Sequence, residues 1–153
     1  MKVKDIMTTD PKTCTPDTTV AEAAHQMWEG DCGILPVVDD GELVGVVIDR
    51  DMYIALATQN ARASRLRVGA IATKKLATCT PDDDVQAALA AMRQARVRRL
   101  TVVGPGGAVV GILSMNDVLL AAGAGKAVGA EEVVATLQAI CAHQQSLEQV
   151  TAA

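Results

Sequence analysis

The chain has 153 residues, 50% of them hydrophobic, and a formal net charge of −4. This is enough apolar material for one compact domain or for a pair of fused half-domains. The apolar runs fall short of the roughly 18 to 20 residues that span a bilayer, and residues 1–5 lack the apolar stretch of a signal peptide. The acidic balance and the scarcity of aromatic residues, with no Phe, one Tyr and one Trp, argue against a nucleic-acid partner. We therefore expect a cytoplasmic protein that binds neither membranes nor nucleic acids.

The cysteines are far apart and form no CxxC pair. They are Cys14, Cys32, Cys79 and Cys141. Such spacing predicts unpaired thiols rather than a disulfide or a zinc site, and we expect no metal.

An internal duplication dominates the chain. The pentapeptide TCTPD at 13–17 recurs at 78–82, an offset of 65 residues from Cys14 to Cys79. One residue inserted in a later turn raises the offset to 66, from Asp51 to Asp117. Each copy is about 55 residues long, too small to bury a good core alone. The two copies should therefore pack on each other as a pseudo-symmetric pair.

The first copy reads as strand, helix, strand, strand, helix. A capping box, Thr19-x-x-Glu22, begins the first helix, which Gly30 ends. Apolar runs at 35–38 and 43–48, on either side of an Asp-Gly turn, predict a β-hairpin. A second helix is predicted from about residue 49 to 59.

The second copy repeats this order. Asp82, Asp83 and Asp84 are predicted to supply the cap and the acidic first turn of a helix that starts near Val85. A hairpin is predicted at 100–103 and 109–113, and a second helix at about 115–122. The predicted fold class is α+β, with two β-α-β-β-α repeats and a C-terminal helix.

The predicted boundaries are 1–60 for repeat 1, 61–67 for a polar linker, 68–122 for repeat 2, and 123–153 for a joint and tail helix. Residues 123–126 read as the flexible joint. An amphipathic stripe follows at Val133, Val134, Leu137, Ile140, Cys141 and Leu147. We expect this helix to pack on its own domain or on a symmetry mate; a binding helix for another protein is the alternative.

The repeated hairpin-to-helix junction resembles the motif Gly-h-h-Ser/Thr-x-x-Asp of the CBS domain, named after cystathionine beta-synthase. The matching segments are GVVIDRD at 45–51 and GILSMND at 111–117, and the resemblance covers roughly residues 3–122. It implies a Bateman module, a tandem pair whose clefts bind adenine nucleotides such as AMP, ADP, ATP or NAD as regulatory ligands. No catalytic cofactor is implied.

Asp51 and Asp117 are the candidate ribose ligands of the two clefts. An ionised carboxylate only accepts hydrogen bonds, so it suits the two vicinal hydroxyl donors of a ribose; plain helix capping is the alternative role. Ser114 can donate to a phosphate or accept from a sugar hydroxyl, whereas Ile48 at the equivalent place can do neither.

Arg98 and Arg99 precede the second strand of repeat 2 and resemble the basic pair with which the family holds phosphates. A guanidinium can bind phosphate oxygens in a bidentate manner and keeps its charge. The equivalent residues of repeat 1 are Gly33 and Ile34. We expect both clefts to share the arginine pair. Arg93 and Arg96 read as a solvated basic face at a helix end.

The resemblance also implies an adenine-binding shell. For the cleft closed by Asp117 its members are Thr18, Ala23, Cys32 and Gly33; for the cleft closed by Asp51 they are Ala88 and Val97, with Asp83 adding a negative charge. Together with Ile48, this charge leads us to expect the Asp51 cleft to bind more weakly.

The function expected from the sequence is that of a non-catalytic sensor. The chain has no P-loop and no paired Ser/His or Cys/His arrangement. A protein-interaction module with degenerate ligand sites is the alternative. We also expect an unidentified effector protein and a homodimer, with contact faces that include Met27, Trp28, Met52, Tyr53 and Met92.

Overall fold

The computed structural model describes residues 1–123 and 128–142. Repeat 1 contributes three strands and two helices: β1 (Thr8–Thr9), α1 (Val20–Glu29), β2 (Ile34–Asp39), β3 (Glu42–Ile48) and α2 (Asp49–Gln59). Repeat 2 and the tail contribute β4 (Thr78–Cys79), α3 (Val85–Ala95), β5 (Arg99–Val103), β6 (Val109–Ser114), α4 (Met115–Ala121) and α5 (Ala130–Cys141). The predicted α+β architecture, including the C-terminal helix, is confirmed.

The two repeats share the same hairpin geometry. In repeat 1 the strands pair antiparallel with Ile34 opposite Ile48, and in repeat 2 Arg99 lies opposite Ser114. Each hairpin shifts register by a bulge, directly after Val37 and after Val102. Ile34 and Arg99 are 65 residues apart in the chain, and each is the first residue of the first strand of its hairpin. Their side chains therefore occupy equivalent positions at the junction of the repeats.

The N-terminal segments of the repeats are exchanged. Strand β1 comes from repeat 1 but pairs with β6 of repeat 2, with Thr8 opposite Ile112. Thr73, the equivalent of Thr8, exchanges two backbone hydrogen bonds of 2.9 and 3.0 Å with Val46 of repeat 1. Each repeat therefore contributes a segment to the sheet of the other, and these strand pairs hold the two repeats together.

The glycines of the repeated motif permit this exchange. A Cβ at Gly111 would lie 2.8 Å from Met7 Sδ and 2.9 Å from the Thr8 carbonyl oxygen, and one at Gly45 would lie 3.2 Å from Ala72 Cβ. The incoming segment thus needs a residue without a side chain opposite it.

Two apolar cores are formed, one in each repeat. Val3 is fully buried in the core of repeat 2, and its equivalent Val68 is fully buried in the core of repeat 1. Leu35 and Leu100, on the two equivalent strands, are also fully buried. The exchanged segments therefore contribute apolar anchors as well as strand pairs.

The two first helices begin differently. The Thr19 capping box is present, since Glu22 N–H donates to Thr19 Oγ1 at 3.2 Å and Thr19 N–H donates to Glu22 Oε2 at 2.8 Å. The predicted acidic cap of α3 is correct in position, since Asp84 is the N-cap residue, but its side chain makes no capping hydrogen bond. Its carboxylate instead lies 3.1 Å from Lys2 Nζ, and the first turn of α3 holds no acidic residue.

The C-terminal helix α5 packs on α3 and α4 of its own chain. Val133 is buried there, and Thr136 is fully buried and accepts a 2.8 Å hydrogen bond from the Arg93 guanidinium. Arg93 is therefore not part of a solvated basic face. Two residues of the predicted stripe differ, since Val134 is 53% exposed and Cys141 is also exposed. Leu147 and residues 124–126 of the predicted joint lie outside the described residues.

The methionines expected on contact faces belong to the cores instead. Met27, Met52 and Met92 are at most 6% exposed, because their long side chains fill the space between helices and sheets. Trp28 and Tyr53, by contrast, are 80% and 75% exposed. Only these two aromatic residues remain from the predicted contact set.

All four cysteines are free thiols. Burial raises the pKa of both the Cys14 and the Cys79 thiols to about 11. They therefore stay protonated near neutral pH and pack as small apolar side chains. Within the described part of the chain, no helix has the length and apolar character needed to cross a bilayer.

Candidate functional site

Two clefts lie at the junction of the repeats, and each takes residues from both. The Asp51 cleft has a volume of about 520 Å³ and includes Ile48, Asp51, Val97, Arg98 and Arg99. The Asp117 cleft has a volume of about 420 Å³ and includes Cys32, Gly33, Arg99, Ser114 and Asp117. The equivalent residues Ile34 and Arg99 line both clefts and form the wall between them.

Asp117 is held in a capping box at the start of α4. Its Oδ2 accepts hydrogen bonds from the Ser114 hydroxyl at 2.6 Å and from Ser114 N–H at 2.7 Å, while Asp117 N–H donates to Ser114 Oγ at 3.2 Å. Among the described residues, no donor reaches Oδ1. Asp117 thus both caps the helix and retains an acceptor oxygen. Because the Ser114 hydroxyl donates its proton to Asp117, it can interact with a ligand only as a hydrogen-bond acceptor.

Asp51 has the equivalent position, third in helix α2, but a different environment. Ile48 stands at the cap and provides no hydroxyl, and no hydrogen bond from a described residue reaches the Asp51 carboxylate. The neighbouring Asp49, first in the helix, accepts a hydrogen bond from Arg50 N–H at 2.7 Å. Because Asp51 has no partner within the described ranges, both of its oxygens remain as acceptors.

The two predicted phosphate ligands differ in reach. Arg99 lies at the start of β5 and borders both clefts, as expected. Arg98 borders only the Asp51 cleft, where its Nη2 donates to Cys141 Sγ at 3.2 Å. The expectation that both clefts share the pair is therefore corrected for Arg98, which lies in the bend before β5 and lines the Asp51 cleft alone.

The predicted adenine shell is brought together only in part. Cys32 and Gly33 line the Asp117 cleft, and Val97 lines the Asp51 cleft. Ala23 and Ala88 are at most 1% exposed in the two cores, so a ligand cannot touch them.

Two polar members of that shell are engaged elsewhere. Thr18 lines neither cleft and accepts a 3.0 Å hydrogen bond from Thr15 N–H. Asp83 accepts from Thr80 N–H at 2.8 Å in a turn, so it adds no charge to the wall of the Asp51 cleft. The expected handicap of that cleft from Asp83 is thus removed.

Several charged wall residues were not predicted. They are Asp10, Lys12 and Asp31 in the Asp117 cleft, and Arg50, Lys75 and Arg96 in the Asp51 cleft. The duplication offset relates most of them to one another, but assigning them to a cleft requires the exchanged segments. In residues 1–123 and 128–142, no group of three or more His, Cys, Asp or Glu side chains could hold a metal ion.

Comparisons with known proteins agree with this geometry. A profile of the CBS domain matches residues 3–58 and 68–124. The chain is 34% identical over 115 residues to the CBS domain-containing protein YhcV of Bacillus subtilis, covering 75% of this chain and 81% of that protein.

Solved structures show the same fold. The conserved CBS domain protein TA0289 of Thermoplasma acidophilum superposes with a TM-score of 0.77 at 26% identity, over 91% of this chain and 75% of that chain. The CBS domain pair of protein MJ0100, in complex with 5'-methylthioadenosine and S-adenosyl-L-methionine, has a TM-score of 0.70 at 28% identity, over 78% and 94% of the two chains. With a family profile that matches both repeats, this chain belongs to the CBS domain family.

Proposed function

We propose that this protein is a non-catalytic regulatory module that binds adenosine-containing ligands in its two clefts. The observation that carries the proposal is the pair of equivalent carboxylates, Asp51 and Asp117. Each lines a cleft between the repeats and keeps at least one oxygen to which no described residue donates a hydrogen bond. Two vicinal ribose hydroxyls are suitable donors for such an oxygen.

The dimensions and walls of the clefts support a small-molecule ligand. Their volumes of about 520 and 420 Å³ fall within the roughly 300 to 1,000 Å³ of typical ligand sites. Ile34 lines both clefts and Val97 lines the Asp51 cleft, and these apolar side chains offer surfaces for a base. The ligands of the MJ0100 pair, both adenosine derivatives, support the same ligand class here. AMP, ADP, ATP and NAD belong to that class.

Adenosine and ADP are expected to bind saturably and to raise the unfolding temperature, whereas guanosine is expected to have little effect. A ligand at 100 times its dissociation constant should add about 2.7 kcal/mol to the free energy of unfolding. A thermal-shift series with titration calorimetry measures this. If no adenosine compound binds, the proposal fails and an interaction module with degenerate clefts takes its place.

We also propose that the module forms a homodimer through α1 and α2. Trp28 of repeat 1 is equivalent to Arg93 of repeat 2. In repeat 2, helix α5 covers this position, and Arg93 donates a hydrogen bond to Thr136 of α5. No described segment covers this face of repeat 1, and Trp28 and Tyr53 are exposed on it. Leaving such surface in water costs roughly 25 cal/mol per Å², which a second copy of the same face would recover.

Light scattering at micromolar concentration is expected to give twice the 15.9 kDa chain mass. Replacing Trp28 and Tyr53 together with serine should yield the monomer mass. Leu120→Ser is the control, because Leu120 is 83% exposed but lies on α4 of repeat 2. A monomeric wild type, or a double variant that remains dimeric, would contradict this interface.

A further inference from the structure

The walls of the two clefts differ in charge at equivalent positions of the duplication. At four positions the Asp51 cleft has a cationic side chain where the equivalent residue of the Asp117 cleft is acidic or uncharged. Three of these pairs are related by the 65-residue offset and the fourth by the 66-residue offset. The pairs, with the Asp117 cleft first, are Asp10 and Lys75, Asp31 and Arg96, Gly33 and Arg98, and Asn116 and Arg50.

The backbone geometry confirms that Asp31 and Arg96 are equivalent. Asp31 and Arg96 both follow the first helix of a repeat in the left-handed conformation, with φ of 46° and 53°. The next residues, Cys32 and Val97, donate equivalent backbone hydrogen bonds of 3.0 and 3.1 Å into the preceding helices. The same backbone therefore presents an aspartate to one cleft and an arginine to the other.

The Asp51 cleft holds an excess of positive charge. Among the described residues its wall contains one carboxylate and five cationic side chains, which are Arg50, Lys75, Arg96, Arg98 and Arg99. No described carboxylate lies within ion-pair distance of any of these cations. A concave wall with uncompensated charge of one sign attracts a ligand of the opposite sign.

Arg98 is the cation best placed to exchange its partner. In the structure it donates to Cys141 Sγ at 3.2 Å, and a thiol sulfur is a weak acceptor. A phosphate oxygen forms a stronger, charge-assisted hydrogen bond with a guanidinium. The exchange would therefore favour a phosphate-bearing ligand.

The Asp117 cleft has the opposite balance. Its described wall includes the carboxylates of Asp10, Asp31 and Asp117 against two cations, Lys12 and Arg99. Lys12 is the exception to the pattern, since its equivalent in the other cleft is Ala77. However, Lys12 Nζ lies 3.2 Å from Glu29 Oε2, so its charge is already paired.

We infer that the two clefts take different classes of adenosine ligand. The Asp51 cleft binds a ligand that carries one or more phosphates, and the Asp117 cleft binds an adenosine compound without phosphate, neutral or cationic. This inference rests on the proposed function and adds the division of ligand classes between the sites. It reverses the order of strength that Ile48 suggests for nucleotides, because four additional wall positions outweigh one missing hydroxyl.

Amide NMR can resolve the two clefts with three probes: adenosine, ADP and inorganic pyrophosphate. ADP and pyrophosphate are expected to shift the amides of Arg50, Asp51 and Arg98. Adenosine is expected to shift those of Asn116 and Asp117. The affinity for ADP should fall with added salt, while that for adenosine should change little.

Variants test the assignment. Arg98→Ala is expected to weaken ADP binding by roughly ten-fold to a hundred-fold and to leave adenosine binding at the Asp117 cleft unchanged. Arg65→Ala removes the same charge from an exposed residue that lines neither cleft, and ADP binding should be preserved. Asp31→Arg gives the Asp117 cleft the arginine that the Asp51 cleft has at the equivalent position, Arg96. This variant should bind ADP more tightly at the Asp117 cleft.

The outcomes separate this inference from the proposed function. If ADP and adenosine shift both clefts alike, or if Arg65→Ala weakens ADP as much as Arg98→Ala, the division of ligand classes is overturned while adenosine binding stands. If neither adenosine nor ADP binds, the proposed function is overturned and the division with it.

Discussion

Replacing Asp117 with alanine is expected to weaken adenosine binding at the Asp117 cleft by roughly ten-fold to more than a hundred-fold. The reason is the loss of a charged acceptor for the ribose, since a hydrogen bond to a charged group contributes about 1.5 to 3 kcal/mol. Asp117 also accepts from Ser114 in the capping box, so the free energy of unfolding should fall by about 1 kcal/mol. Titration followed through the Asn116 amide measures the affinity, and urea denaturation measures the stability.

Asp51→Ala is the matched control for this variant. It removes the equivalent carboxylate from the other cleft, where no described residue hydrogen-bonds to it. Its free energy of unfolding should change little, and adenosine binding at the Asp117 cleft should be preserved. If Asp117→Ala bound adenosine as tightly as the wild type, the ribose assignment would be wrong and Asp117 would be a helix cap only.

The double substitution Val3→Ala and Val68→Ala is expected to lower the free energy of unfolding by about 4 kcal/mol. Each valine is fully buried, and removing two methyl groups from a packed core costs about 2 kcal/mol. The effects should add, because the two residues belong to separate core clusters. Since a domain is stable by only about 5 to 15 kcal/mol, this is a large fraction of the total.

The same variants test the exchange of segments. Val3→Ala should shift amides of α3 and β5 in repeat 2, although Val3 belongs to repeat 1 in the chain. Val68→Ala should shift amides of α1 and β2 in repeat 1. Val134→Ala is the control, because this valine is 53% exposed on α5 and should cost little. Shifts from Val3→Ala centred on repeat 1 would contradict the exchange.

Several features were predictable because they depend on local sequence. The Thr19 capping box needs only residues within one turn, and each hairpin needs two short apolar runs around a turn. The duplication paired Asp51 with Asp117 and placed both at helix starts, as observed. The cap of α3 was not predictable in the same way, because Lys2, more than 80 positions away in the chain, takes the Asp84 carboxylate.

Arg93 shows the same limit at the contact between α3 and α5. On the helix alone it is an ordinary basic residue near a helix end, and its sequence context predicts contact with water. Its actual partner, Thr136, lies on α5 and is fully buried. Ala23 and Ala88 likewise match positions of the resemblance, but core packing leaves no surface for a ligand.

The sequence by itself determined the duplicated α+β fold, the helix starts, and which residue of one repeat corresponds to which residue of the other. Only the tertiary structure decided which repeat each N-terminal segment joins, because a strand has the same local pattern whichever sheet accepts it. That choice brings Asp10 beside Asp117 and Lys75 beside Asp51. The charge of each cleft therefore depends on segments that are distant in the chain, and no local sequence pattern shows which of these segments come together.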